Sequence, residues 1–243
     1  MSNLKFAFLL IIALCIGWVS CSPLEETNGQ RLARGLPPKP PRFLSTTPTL
    51  NARGASTSPL PSVTLTGRLQ VRNPDGSVLG NVRNWATPGT ISGVNFLGPD
   101  QDLLVKLTFK PSHPTKIDVL ATNPTFPAPF YVGAGSASNA GVPKLSHGSR
   151  NTVGFTNVPL TPGGARPTKF PALDVYVESA IWTLDQETGK LTAQWINVDG
   201  SKPPTIIAYD IRENSIFFVG DITAYNQDND LPASTADLFL VPV

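Results

Sequence analysis

Asp174 and Glu178, in the stretch DVYVE, are the acids whose spacing comes closest to carboxylate chemistry. Four residues apart on a strand they share a face, at a separation of about 13 Å. Glycoside hydrolysis uses carboxyl pairs about 5 to 9.5 Å apart. A carbohydrate-active enzyme built on them would need an acid from another strand, such as Asp210 or Asp221. Solvent-facing acids paired with Lys or Arg are the plainer reading. NQDND alternates oxygen ligands at Asn226, Asp228 and Asp230, like the start of a calcium loop. Leu231 stands where such a loop needs glycine, and no Glu follows at the right distance. A loose Ca²⁺ site is the one cofactor reading the chain offers, and a solvated polar loop is the default.

The two histidines, His113 and His147, lie in loop-like text, neither at metal spacing from another ligand. No nucleophile-elbow motif anchors a serine triad. Flat rings can stack on sugars, and Trp85, in the loop text VRNWATPG, is the best exposed candidate. Tyr131 and Tyr225 are weaker ones. Trp182 and Trp195 flank LDQETGKL, where they either oppose each other across a hairpin or pack in the core.

The elements that position these residues read as strands. In TLTGRLQVR, Leu65, Leu69 and Val71 alternate with polar residues, and in DLLVKLTFK so do Leu103, Val105, Leu107 and Phe109. Period two marks half-buried strands. DVYVESAIWTL, TIIAYDI and SIFFVGDI are apolar on both faces and read as strands covered on both sides. ADLFLVPV closes the domain. No segment holds a 3.6-residue apolar period for three turns, and Pro and Gly recur too often for a helix. Long loops fill Pro111 to Pro171, between short strands such as KIDVLA and NTVGF. The fold class expected is all-β: an antiparallel β-sandwich, jelly-roll or lectin-like, over residues 63–243.

Two phrases recur, NPDGS at Asn73 to Ser77 and NVDGS at Asn197 to Ser201, each after a TGRL or TGKL. Asp-Gly between strands is a strong hairpin signal, because the turn needs positive φ that glycine adopts readily. Reused turn chemistry explains the pair better than a repeated binding site, and both are expected to be hairpin turns. LDQETGKL is a third turn, with Gly189 in the left-handed region.

At the start of the chain, Lys5 precedes an apolar run from Phe6 to Val19 and then small residues, the order of a secretory signal. The run is shorter than the about 20 residues that span a bilayer. Cleavage after Cys21 would define a signal peptide at 1–21. It would also remove Cys15 and Cys21, the only cysteines, so the mature chain would hold itself together by burial alone. Residues 22–62 are rich in Pro, Ser and Thr and lack apolar periodicity, so a disordered linker or propeptide is expected there. RLAR at Arg31 to Arg34 is a candidate processing site. With 19 Lys and Arg against 17 Asp and Glu, nothing in the charge favours nucleic acid as a partner. No stable membrane insertion is expected after signal cleavage.

RLARGLPPKPPR after a signal, followed by GRLQVRNPDGSVLGNVRN, ISGVNF and LTAQWINVDGSKPPTIIAYD, resembles small secreted proteins of mushroom-forming fungi. The resemblance spans nearly the whole chain. It implies extracellular export and supplies no catalytic residues. The function expected is therefore a secreted, non-enzymatic β-sandwich that binds a glycan or another extracellular polymer. A carboxylate-based carbohydrate-active enzyme is the alternative.

Overall fold

The computed structural model describes residues 26–39, 61–86, 91–137, 141–227 and 232–243. The signal segment, its cleavage point and most of the Pro-rich stretch lie outside these residues. The chain divides into two units, Met1–Thr57 and Ser58–Val243.

In the first unit, one short stretch departs from the extended chain expected. Asn28–Ala33 forms a helix, α1. Its start is a capping box: the Gln30 N–H donates to Thr27 Oγ1, and the Thr27 N–H to Gln30 Oε1. Arg34 pairs with Glu26 at 2.8 Å. The RLAR dipeptide pair thus begins on a helix and ends at its C-cap. Local capping, which apolar periodicity does not report, accounts for the difference.

The second unit is all-β and sandwich-like, an antiparallel sheet curled into a half-barrel. Its described strands run in chain order as β1 (Val63–Arg72), β2 (Val78–Val82), β3 (Val94–Asn95), β4 (Leu104–Phe109), β5 (Thr115–Ile117) and β6 (Val119–Ala121). There follow β7 (Tyr131–Gly135), β8 (Thr152–Val158), β9 (Thr168–Phe170), β10 (Val175–Glu178), β11 (Trp182–Leu184) and β12 (Lys190–Ala193). The last are β13 (Ile206–Asp210), β14 (Ser215–Val219), helix α2 (Ile222–Gln227), β15 (Ser234–Thr235) and β16 (Asp237–Pro242). The spatial order is β15-β13-β14-β8-β7-β6-β4-β1-β16-β12-β11-β5. Strand β1 is the central seam, paired with β16 along one edge and with β4 and then β2 along the other.

The alternating segments behave as their period requires. Leu69 and Val71 on β1, and Val105, Leu107 and Phe109 on β4, all enter the main core. The sheet folds over on itself, and the contact that closes it is aromatic. Trp182 on β11 meets Phe155 on β8 and Phe218 on β14, with ring centroids 6.0 Å away in both cases. These strands lie near opposite ends of the sheet order. The indole N–H of Trp182 donates to the Val132 carbonyl at 2.8 Å, so its one polar atom is satisfied inside the core.

Two expectations change, and of the two readings of Trp182 and Trp195 core packing holds. DVYVESAIWTL is two strands: β10 pairs with β7 and β9, whereas β11 pairs with β12 and β5. The chain breaks at Ser179, whose hydroxyl donates to Asp118 at 2.6 Å and whose N–H donates to Thr161 Oγ1. Trp182 faces Ala193 rather than Trp195, and both indoles are fully buried. The repeated phrases form the same turn but in different settings. In each, the Asn N–H donates to the Ser carbonyl and the Gly N–H to the Asn carbonyl. The Asp carboxylate accepts from both the N–H and hydroxyl of the Ser. Gly76 and Gly200 have φ of 87° and 86°. NPDGS joins the paired strands β1 and β2. NVDGS joins β12 to β13, which are not partners, so it carries the chain between distant parts of the sheet.

Candidate functional site

Strands β7, β8 and β14 lie side by side and send alternate residues to opposite faces. Val132, Ala134, Val153, Phe155, Ile216 and Phe218 point into the main core. Their neighbours Gly135, Thr152, Gly154, Thr156, Ser215 and Phe217 face the other way. Register then aligns one outer row across four strands: Phe217 opposite Gly154, Gly154 opposite Gly135, Gly135 opposite Val177 on β10. Two consecutive strands in that row carry no side chain: the backbone is open at Gly154, while Gly135 is buried beside Thr156 and Val177. Helix α2 covers the sheet on one side of the gap, with Ile222 and Tyr225 on Phe217 and Val219. The β9–β10 hairpin covers it on the other, with Phe170 on Val158, Val175 and Val177.

The gap is a cavity of about 580 Å³. Gly135 and Gly154 lie at its floor, and Phe217 and Tyr225 form an aromatic wall with ring centroids 5.0 Å apart. Thr152 and Ser215 contribute hydroxyls, and Asp210 and Glu213 carboxylates. Burial alone would push the Asp210 carboxyl up, but hydrogen bonds from the Arg212 and Glu213 N–H groups and the Arg212 guanidinium outweigh it and hold the group below its usual range. Glu213 is exposed, and its carboxylate makes no ion pair among the described residues. A Cβ placed on Gly154 would meet only the Gly135 carbonyl oxygen, at an ordinary 3.5 Å. Packing does not demand glycine there, and any side chain would stand in the cavity.

Of the three rings singled out in the sequence, only Tyr225 lines this cavity. Tyr131 is half-buried against Val158, Val175 and Val177 on the same outer face and serves packing. Trp85 is 36% exposed, and the Arg83 guanidinium covers its ring with 4.1 Å to the centroid. That occupies one of the two faces a sugar would use.

The acids first considered are each engaged with partners of their own. Asp174 is a turn residue with φ of 50°, paired with Lys169 at 2.8 Å. Glu178 is buried, accepts the Ile196 N–H, and has its carboxyl pushed up by burial to about 8. Asp221 accepts N–H groups from Gly148, Thr223 and Ala224, which hold its carboxyl down. His147 Nδ1 lies 3.6 Å from Asp221, and His113 Nδ1 bonds the neighbouring Ser112 hydroxyl. For the calcium reading, Asp228 and Asp230 lie outside the described residues. Asn226 spends its side chain on Ala233, accepting its N–H and donating to its carbonyl, both at 2.9 Å. No group of three or more His, Cys, Asp or Glu among the described residues is placed to hold a metal ion. No described helix is long and apolar enough to cross a membrane.

The fold and the site define an all-β protein with a hydroxyl- and carboxylate-lined trough on the outer face of its sheet. No protein-family model, curated protein or solved structure matches the chain. The sequence reading found Tyr225 but missed Gly135, Gly154, Thr152 and Ser215. A signal was present in NTVGFTNV, where Thr152, Gly154 and Thr156 form a small, polar face. It became a site only through the glycine of a neighbouring strand, and strand pairing is not written in local periodicity.

Proposed function

We propose that the protein is a secreted, non-enzymatic binding protein whose outer trough receives a glycan. The observation that carries this is the cavity itself, of about 580 Å³ and floored at Gly154 by open backbone between an aromatic wall and a set of hydroxyls and carboxylates. Its volume falls within the range of small-molecule sites, about 300 to 1,000 Å³. Carboxylates accept strongly from sugar hydroxyls, while Thr and Ser both donate and accept. Phe217 and Tyr225 offer an apolar surface to the C–H face of a pyranose. The binding reading is also supported by how the acids are used: Asp210, the more buried of the two in the trough, is committed to Arg212.

A glycan array probed with the purified protein tests this. Retention on defined glycans is expected, and Gly154→Val should abolish it, because the new side chain fills the floor while suiting a strand. Trp85→Ala should leave it unchanged. Failure of the wild-type protein to bind any glycan, or undiminished binding by Gly154→Val, would overturn the proposal.

A further inference from the structure

The trough does not end at the polar cavity. A second cavity of about 390 Å³ opens on the same outer face and shares Gly135, Ser136 and Thr156 with the first. Its lining changes character, to Pro129, Phe170, Ala172, Leu173, Val175 and Val177. Leu173, at the turn of the β9–β10 hairpin, is 52% exposed, an apolar side chain held in water. Of the polar groups at the junction, Ser136 and Asn157 are engaged, and the Thr156 hydroxyl lies 3.5 Å from Asn157 Oδ1. Ser136 Oγ accepts the Tyr176 N–H and donates to the Ala137 carbonyl. The Asn157 amide donates to the Pro129 carbonyl at 2.9 Å.

A second sugar placed here would therefore lose water from its hydroxyls and find few partners for them, which is unfavourable. Hydrocarbon loses nothing by entering and gains the area it buries. The two cavities meet at Gly135, Ser136 and Thr156, whose side chains are absent or small, so one extended molecule can reach both. Building on the glycan reading, we infer that the trough takes an amphiphile of the glycolipid class. The sugar headgroup lies between Tyr225, Thr152 and Glu213, and the alkyl or acyl chain lies between Phe170, Leu173 and Val177.

Calorimetry with alkyl β-glycosides below their critical micelle concentrations tests the inference. Methyl, hexyl and octyl glycosides of glucose, galactose, mannose and N-acetylglucosamine form the series, with octyl phosphocholine as the headgroup control. Affinity should rise by about fourfold per added methylene until the apolar cavity is filled. At least one sugar headgroup should outbind phosphocholine at equal chain length. Leu173→Asp, at an exposed position and with its folding checked by the unfolding midpoint, should remove the gain with chain length. Binding of methyl glycosides with no gain along the series would overturn the amphiphile while leaving the glycan reading standing. A chain-length gain with no preference for sugar over phosphocholine would overturn both. An unchanged gain in Leu173→Asp would remove the chain from this cavity.

Discussion

At the scale of single residues, Glu178 is the most consequential side chain outside the trough. It is 4% exposed, and its only side-chain hydrogen bonds among the described residues come from the Ile196 N–H, at 3.1 and 3.2 Å to its two oxygens. Burial outweighs that bond and raises the carboxyl from 4.5 to about 8. The folded chain thus binds this proton more tightly than the unfolded chain. The resulting stability is fully present below about 4.5 and is lost as pH rises through about 8, with a slope of about 1.4 kcal/mol per pH unit between them. Asp118, raised mainly by burial, adds in the same direction. Glu178→Gln keeps a carbonyl oxygen for Ile196 and cannot ionise. Urea unfolding at pH 5.5 and 8 should show the wild-type midpoint falling with pH and the variant's falling less, with the variant the more stable at pH 8. Equal slopes would show that Glu178 does not titrate in this range. The sequence marks this acid only as one of a strand pair. Its carboxylate is met by the Ile196 N–H, 18 residues away, which is a long-range fact.

At the scale of elements, the irregular loops are held by asparagines that imitate a strand partner, each taking one backbone N–H and giving to one backbone carbonyl. Asn197 does this to Leu145, Asn214 to Val94 and Asn226 to Ala233, all at 2.8 to 3.0 Å. Asn123 and Asn84 act the same way on adjoining residues, Asn123 accepting from Leu104 and donating to Asp102, Asn84 accepting from Thr125 and donating to Asn123. The sequence has no cysteine after Cys21, so these amides do the pinning that disulfides give many secreted domains. Asn214 also has φ of 46°, a region asparagine tolerates and alanine does not. Asn214→Gly relieves the backbone and removes the clamp together with the acceptor of the Tyr209 hydroxyl, at a cost of about 1 to 3 kcal/mol for the buried groups left unpaired. Asn214→Ala should cost more by the added strain. The two unfolding curves separate the clamp from the backbone, and coincidence of Asn214→Gly with wild type would deny the clamp a role. The strands were legible because alternation along β1 and β4 is a local signal. The clamps were not, since an asparagine in loop text looks the same whether it faces water or a backbone 120 residues away.

At the scale of the molecule, the second unit closes a long sheet on itself without a disulfide, and closure passes through Trp182. The rings of Trp182, Phe155 and Phe218 touch one another pairwise within 6.1 Å, joining strands that are remote in the sheet order. The same closure positions the trough, because Phe155 and Phe218 occupy the inner face of β8 and β14 while Thr152, Gly154, Ser215 and Phe217 occupy the outer. Removing the indole should therefore loosen both. Trp182→Ala leaves a cavity at the junction and should cost about 3 to 5 kcal/mol. Trp182→Phe keeps a ring against Phe155 and Phe218 and loses the N–H that the Val132 carbonyl accepts, about 1 to 3 kcal/mol for that group. Equilibrium unfolding should place the variants in the order wild type, Phe, Ala. If closure is shared by the whole sheet, near-ultraviolet and far-ultraviolet signals will lose structure in one transition for all three proteins, with or without reductant. Two separated transitions in Trp182→Ala would instead show that each end of the sheet is stable alone and that the aromatic contact joins two finished halves.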